Sequence, residues 1–116
     1  MPTSSVPAYR PGDVVVVPFP YSDRLAEKRR PALVISGRTL ASAGFVWVAM
    51  ITSAANQPMQ HDQPISDPRR AGLSAPSVVR PVKMACIEPG RILRRAGRLS
   101  AAESAAVLET IVGFVG

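Results

Sequence analysis

One cysteine, one histidine and two lysines stand among 116 residues, and each scarcity removes a class of protein. Cys86 has no partner for an internal disulfide, so the fold must rest on its own core. Cys86 and His61 are too few for a Cys/His zinc cluster, and the chain is read as holding no metal and no cofactor. Long apolar runs are also missing: the longest, Phe45 to Ile51, is far short of the ~20 residues that span a bilayer. The opening MPTSSVPAYR lacks the apolar stretch of a secretory signal. The expectation is a soluble, cytoplasmic protein with no membrane partner. Basic residues are missing from the end of the chain, where nothing cationic follows Arg98 while Glu103 and Glu109 remain.

What is present is arginine. Twelve of the 14 basic residues are arginines, and the chain carries +6 overall. Up to Arg98 there are fourteen basic residues against six acids, a balance of +8, and the last segment carries −2. A basic body suits a polyanion, most often a nucleic acid. Hydrophobic residues at 47% and charged residues at 19% are ordinary for a globular domain and exclude a wholly disordered chain. At this length one domain is expected, over 11–116, with 1–10 as a flexible tail.

Turn chemistry and β-branched runs set the organisation. Pro11-Gly12-Asp13 is a turn, and Val14 to Val17 is a strand buried on both faces. Tyr21 to Arg30 is polar and too long for a tight hairpin turn. Pro31 to Ile35 is the next strand, its proline at the first position, where the missing N–H costs little. Ser36 to Gly44 reads as a loop, Phe45 to Ile51 as the central strand and Met59 to Ile65 as a weak edge strand. Ser77 to Ile87 is extended and bent at Pro81, Arg91 to Arg95 a helical turn, and Ala96 to Leu99 a short strand. Ser100 to Glu103 is a capping box that opens a terminal helix, with Leu108, Ile111, Val112 and Val115 as its apolar stripe. The sum is a mainly β fold: a small, strongly bent sheet or barrel with a C-terminal α-helix packed on it.

Three features can carry chemistry. In Lys28-Arg29-Arg30-Pro31, an arginine held beside a proline at a strand entrance can offer a two-pronged guanidinium to a phosphate. Thr52-Ser53, where the central strand emerges, can donate a hydroxyl to a phosphate oxygen, though the same pair also serves as an ordinary strand-ending turn. Arg69, Arg70, Arg80, Arg91, Arg94, Arg95 and Arg98 can line a groove or simply face solvent. Of the few aromatics, Tyr21 is the best placed to stack on a base. His61 and Asp62 are neighbours in a strand-like segment and face opposite ways, so they are not a catalytic pair.

Gly12-Asp13-Val14-Val15-Val16-Val17-Pro18-Phe19-Pro20, followed by Arg30-Pro31-Ala32-Leu33-Val34-Ile35, resembles the MazF/PemK family of toxin–antitoxin endoribonucleases. Ile51-Thr52-Ser53, Ser77-Val78-Val79-Arg80-Pro81 and the capped helix ending in Ile111-Val112-Gly113 agree with it. The resemblance implies an SH3-like barrel, shared with the CcdB-type gyrase poisons, and a homodimer. It implies metal-independent cleavage of single-stranded RNA, usually messenger RNA, to a 2′,3′-cyclic phosphate and a 5′-hydroxyl. It also implies a cognate antitoxin whose acidic, flexible tail occupies the RNA groove. The catalytic pair carried over is Arg30 and Thr52. Arg30 stabilises the charge that builds on the phosphorus centre and is a candidate acid, and Thr52 orients the phosphate. Arginine, with a pKa above ~12, is a poor base, so this pair names none. The RNA-binding set is Tyr21, Ser22, Glu27, Lys28, Arg29, Ser53, Arg69, Arg70 and Arg80.

Two positions depart from the family pattern. Leu25 stands where some members carry a loop glutamate, leaving Asp23 and Glu27 as the nearest acids. Val82 stands where many carry an acid after the Arg-Pro pair. The missing loop glutamate keeps one rival in view, a barrel that binds RNA without cutting it; a second, a gyrase poison on the same barrel, would need neither Arg30 nor Thr52, and the Arg-Pro and Ile-Thr-Ser signatures argue against it.

Overall fold

The computed structural model describes residues 8–19 and 28–116, with the side chains of Phe19 and Lys28 left out of the description. Six strands form one sheet in the order β4-β5-β3-β2-β1-β6: β1 Asp13–Phe19, β2 Lys28–Val34, β3 Val46–Ser53, β4 Gln63–Pro64, β5 Ser77–Ile87 and β6 Arg94–Arg98. Every paired neighbour is antiparallel. The sheet curls into a half-barrel, and the helix α2, Ala101–Val115, covers one face.

Two apolar clusters mark the two faces of the sheet. Val14, Leu33, Ala49, Ile51 and Val79 pack under Val107 and Ile111 of α2. Val15, Val17, Ala32, Val34 and Val48 form the other cluster with Ile87 and Ile92, and Tyr9 packs against it. The valine run of β1 therefore feeds both faces, and Val14, Val15 and Val17 are all fully buried. This is why the run is continuous rather than alternating.

Pro81 bends β5 as its sequence implies. Ala49 faces Met84 while the next residue, Met50, faces Arg80, so Pro81-Val82-Lys83 bulge out of the ladder. A tight seam joins the 67–73 segment to β6. A Cβ at Gly97 would lie 2.3 Å from the Arg70 carbonyl oxygen, and one at Gly72 would lie 2.2 Å from that of Ala96. Only glycine allows the two backbones to meet there.

Five local readings change. Strand β2 begins at Lys28, so Pro31 is its fourth residue rather than its first, and the edge strand expected over Met59 to Ile65 is reduced to Gln63–Pro64. The 36–44 loop contains a short helix, α1, Arg38–Ser42, without a side-chain cap. Five residues are too few for a helical pattern to register in sequence. The helical turn expected at Arg91 to Arg95 falls earlier, as a 3-10 turn over Pro89–Arg91. The chain then straightens because the Leu93 N–H donates to Val16 O at 2.9 Å and β6 pairs with β1. Finally, α2 seats on the sheet through Val107 and Ile111, whereas Leu108, Val112 and Val115 remain exposed. With Leu40 and Trp47 these three line an open apolar groove of about 730 Å³. Ser100 does cap the helix, its Oγ accepting from Glu103 N at 3.2 Å, and the Glu103 carboxylate reaches back to the Ser100 hydroxyl at 3.3 Å. The Glu103 carboxylate also accepts from Ser66 N at 2.9 Å, tying the helix start to the loop after β4.

Candidate functional site

Strand register assembles the site. In β1 and β2, Val17 faces Arg30; in β3 and β5, Thr52 faces Val78. Between them the β2–β3 ladder runs from Val34 opposite Val48 to Ala32 opposite Met50, so Arg30 lies two residues beyond its last pair on β2 and Thr52 two residues beyond it on β3. Arg30 alternates with Ala32 and Val34, and Thr52 with Val48, all on the face away from α2. The guanidinium and hydroxyl singled out in the sequence thus belong to one side of the sheet, at the same end of the β2–β3 pair.

The next row carries the second cation. Arg80 faces Met50 across β5 and β3, and continuing the β4–β5 register places Asp62 opposite Arg80. Their side chains meet in a two-pronged pair: Arg80 Nε donates to Asp62 Oδ1 at 3.0 Å and Nη2 to Oδ2 at 2.9 Å. Nη2 also donates to Gln57 O at 3.0 Å. The hydrogen bond from Arg80 holds the Asp62 carboxyl below the ordinary value of 3.8, against the opposing effect of burial, and the same bond raises Arg80. A lowered carboxyl favours the fold above its unfolded value and loses that contribution only as pH falls below it, so the pair is intact at neutral pH. Arg80 thereby clamps the 54–62 loop to the sheet. Among the described residues, no carboxylate is paired with Arg30.

Thr52 is 7% exposed, and its Oγ1 accepts from Asn56 Nδ2 at 2.6 Å. Asn56 was not among the residues expected here. A Thr followed four positions later by an Asn is too common a pattern to mark a site. Ser53 lies one residue on, alternates to the other face and is exposed, and its Oγ caps the turn by accepting from Ala55 N at 3.1 Å. Arg29 likewise alternates away from Arg30 and is exposed. Arg69 and Arg70 sit apart from the row, on the segment that meets β6. Arg70 and Arg98 line a recess with Ala101 and Ser104 at the start of α2. His61 adopts φ 75° and sets its ring edge-on to Phe114 of α2, with centroids 5.2 Å apart, while Asp62 turns to Arg80. Tyr21, Ser22, Leu25 and Glu27 lie outside the described residues, as does the Lys28 side chain. Among the described residues, no three His, Cys, Asp or Glu side chains gather as a metal site, and no helix is long and apolar enough to cross a membrane.

A curled, antiparallel six-stranded half-barrel with one C-terminal helix over a face of the sheet defines the class as a small, mainly β fold. The chain belongs to the family of PemK-like, MazF-like toxins of type II toxin–antitoxin systems, whose model matches residues 10–115. Among solved structures it is similar to the Mycobacterium tuberculosis toxin MazF-mt6. The identity is 25% and the TM-score 0.68, over 90% of this chain and 94% of that one. MazF from Deinococcus radiodurans aligns with a TM-score of 0.71 at 21% identity, over 97% of this chain and 99% of that one. A mycobacterial endoribonuclease solved in complex with its cognate antitoxin aligns with a TM-score of 0.66 at 16% identity, over 91% and 96% of the two chains. A comparison with curated protein sequences finds no match.

Proposed function

We propose that this toxin is an endoribonuclease that cuts single-stranded RNA, messenger RNA foremost, without a metal ion. The observation that supports the reading is that Arg30 and Thr52 belong to one face of the sheet, each two residues beyond the Ala32–Met50 pair. In the proposed reaction the ribose 2′-oxygen attacks the adjacent phosphorus and loses its proton as the new P–O bond forms. The bond to the 5′-oxygen breaks, and that oxygen takes up a proton. A 2′,3′-cyclic phosphate and a 5′-hydroxyl result, and no water is consumed. Negative charge grows on the nonbridging oxygens on the way. The Arg30 guanidinium is proposed to hold one of them with charge-assisted bonds, and the Thr52 hydroxyl to donate to another. The stretch from Tyr21 to Lys28 is proposed to track the flanking nucleotides, with Arg29, on the opposite face of β2, as an outlying phosphate contact. Arg69 and Arg70, beside α2, are proposed as outlying phosphate contacts, and Arg80 serves the site as the clamp of its loop.

The test is incubation of purified protein with a long single-stranded RNA in EDTA, followed by mapping of the new 5′ ends. Discrete cuts bearing 5′-hydroxyls support the reading. Intact RNA after incubation with folded protein would favour the binding-only barrel.

The antitoxin and a homodimer are the partners proposed from family membership. The +8 body suits an antitoxin with an acidic, extended segment competing for the Arg30 face. Affinity for such a segment should fall steeply from 0.1 to 0.5 M salt in calorimetric titrations, because screening shortens the reach of each charge. A flat response would shift the contact to the apolar groove beside Trp47 and Val112.

A further inference from the structure

The turn that follows β3 is fixed without help from the Asn56 side chain. Ala54 N donates to Pro76 O at 3.0 Å, Asn56 N to Ser53 O at 3.1 Å and Ala55 N to Ser53 Oγ at 3.1 Å. The Asn56 carboxamide reaches back instead to one atom, Thr52 Oγ1, at 2.6 Å. A threonine hydroxyl has one proton and two lone pairs. With an amide N–H donating into one lone pair, the hydroxyl proton is left to point elsewhere. Thr52 belongs to the face of the sheet that carries Arg30, so a phosphate held by Arg30 would be a ready acceptor for that proton.

We infer that Asn56 is a positioning residue that fixes the polarity of the Thr52 hydroxyl, making Thr52 a hydrogen-bond donor toward the scissile phosphate. The inference rests on the proposed ribonuclease reading and adds a residue to it. Its chemical signature is polarity rather than shape. Asn56→Asp is isosteric, but its carboxylate can only accept. It would take the Thr52 proton for itself and turn the hydroxyl's lone pairs toward the phosphate. Once protonated, the same side chain becomes a donor and restores the original arrangement. Arg30 lies on this face, as does Arg80 with its partner Asp62, and each variant is normalised to wild type at every pH so that changes common to all of them drop out.

The experiment compares cleavage of a fixed RNA oligonucleotide by wild type, Asn56→Ala, Asn56→Asp, Thr52→Val and Asn56→Asp/Thr52→Val, with melting curves for each. Asn56→Ala should lower kcat about tenfold with little change in KM, the cost of a hydroxyl free to rotate. Asn56→Asp should lose about 100-fold at pH 7.5, the scale of one lost donor to a developing oxyanion. Toward pH 4.5 that deficit should narrow by about tenfold as a carboxyl of ordinary pKa begins to take up its proton. In the Thr52→Val background, Asn56→Asp should cost nothing further, because its target is gone. Three results would each overturn the inference: Asn56→Ala within twofold of wild type, an Asn56→Asp deficit that does not change with pH, or an Asn56→Asp loss that persists beside Thr52→Val. A fully active Thr52→Val variant, or a wild type that leaves the RNA intact, sinks the reading of the site beneath it and the inference together.

Discussion

Arg30→Ala is expected to lower RNA cleavage by about 10³-fold or more while the melting temperature stays within a few degrees of wild type. Each donor aimed at a developing oxyanion is worth about 10²–10³ in rate, and a guanidinium supplies two donors with a full charge behind them. The fold has little stake in the side chain. Strand β2 is held by its ladders to β1 and β3 and by Ala32, Leu33 and Val34, which are fully buried; Arg30 stands at the entrance, only partly buried. Arg30→Lys should recover a small part of the rate, since an ammonium keeps the charge but not the planar fork. Single-turnover cleavage of one mapped site, with circular dichroism and melting curves on the same preparations, checks all three. Cleavage by Arg30→Ala within tenfold of wild type would remove Arg30 from the chemistry.

The proposed pair, Arg30 and Thr52, could be picked out in the sequence because each member sits at a punctuation mark of its strand. Pro31 marks where β2 begins to bury its residues, and Thr52-Ser53 marks where β3 gives way to polar chain. Two strands so punctuated and paired antiparallel must bring an entrance of one beside an exit of the other. That is the register seen, with Ala32 opposite Met50. The clamp around the pair was not legible. Arg80 meets Asp62 across 18 residues, and Asp62 reads in sequence only as the neighbour of His61. The bulge at Pro81-Val82-Lys83 sets which β5 residue faces Met50, and its size is a packing outcome.

Charge was legible as a total and not as an address. Arg69 and Arg70 look like part of a basic groove, yet their segment runs to the α2 side because Gly72 and Gly97 let it press against β6. The helix shows the same limit for apolar residues. Leu108, Val112 and Val115 satisfy the spacing of a buried stripe, but the sheet meets α2 along Val107 and Ile111, and the stripe lines the groove beside it. Periodicity identifies an amphipathic helix and leaves a rotation of one residue open.

Asp13→Ala is expected to do the reverse of Arg30→Ala, removing stability and sparing the chemistry. Asp13 is a fully buried carboxylate at the start of β1. Its Oδ2 accepts from Arg10 N at 3.1 Å and lies 3.5 Å from Arg95 Nη1, while Oδ1 accepts from Arg98 Nη1. Arg98 Nη2 in turn donates to Pro11 O at 3.2 Å. One side chain therefore ties the incoming chain, β1 and β6 together, at the edge pairing where the ladder shifts register between Val14 and Val15. Breaking a buried pair costs about 3–5 kcal/mol when the surviving charge is stranded. Here the Arg95 and Arg98 side chains are 54% and 36% exposed and can turn to water, which puts the loss near the low end, about 3 kcal/mol. For a domain of this size that is a fall in melting temperature of roughly 10–15 °C. Asp13→Asn keeps an acceptor in place and should lose about half as much. The site lies four residues along β1 from Val17, which faces Arg30, so at 20 °C, well below its melting transition, the Asp13→Ala protein should still cut RNA at close to the wild-type rate. A variant that melts within 3 °C of wild type would show that the ion cluster holds nothing the β1–β6 ladder does not already hold. A variant that melts normally and fails to cut would move Asp13 from the frame of the barrel into its active site.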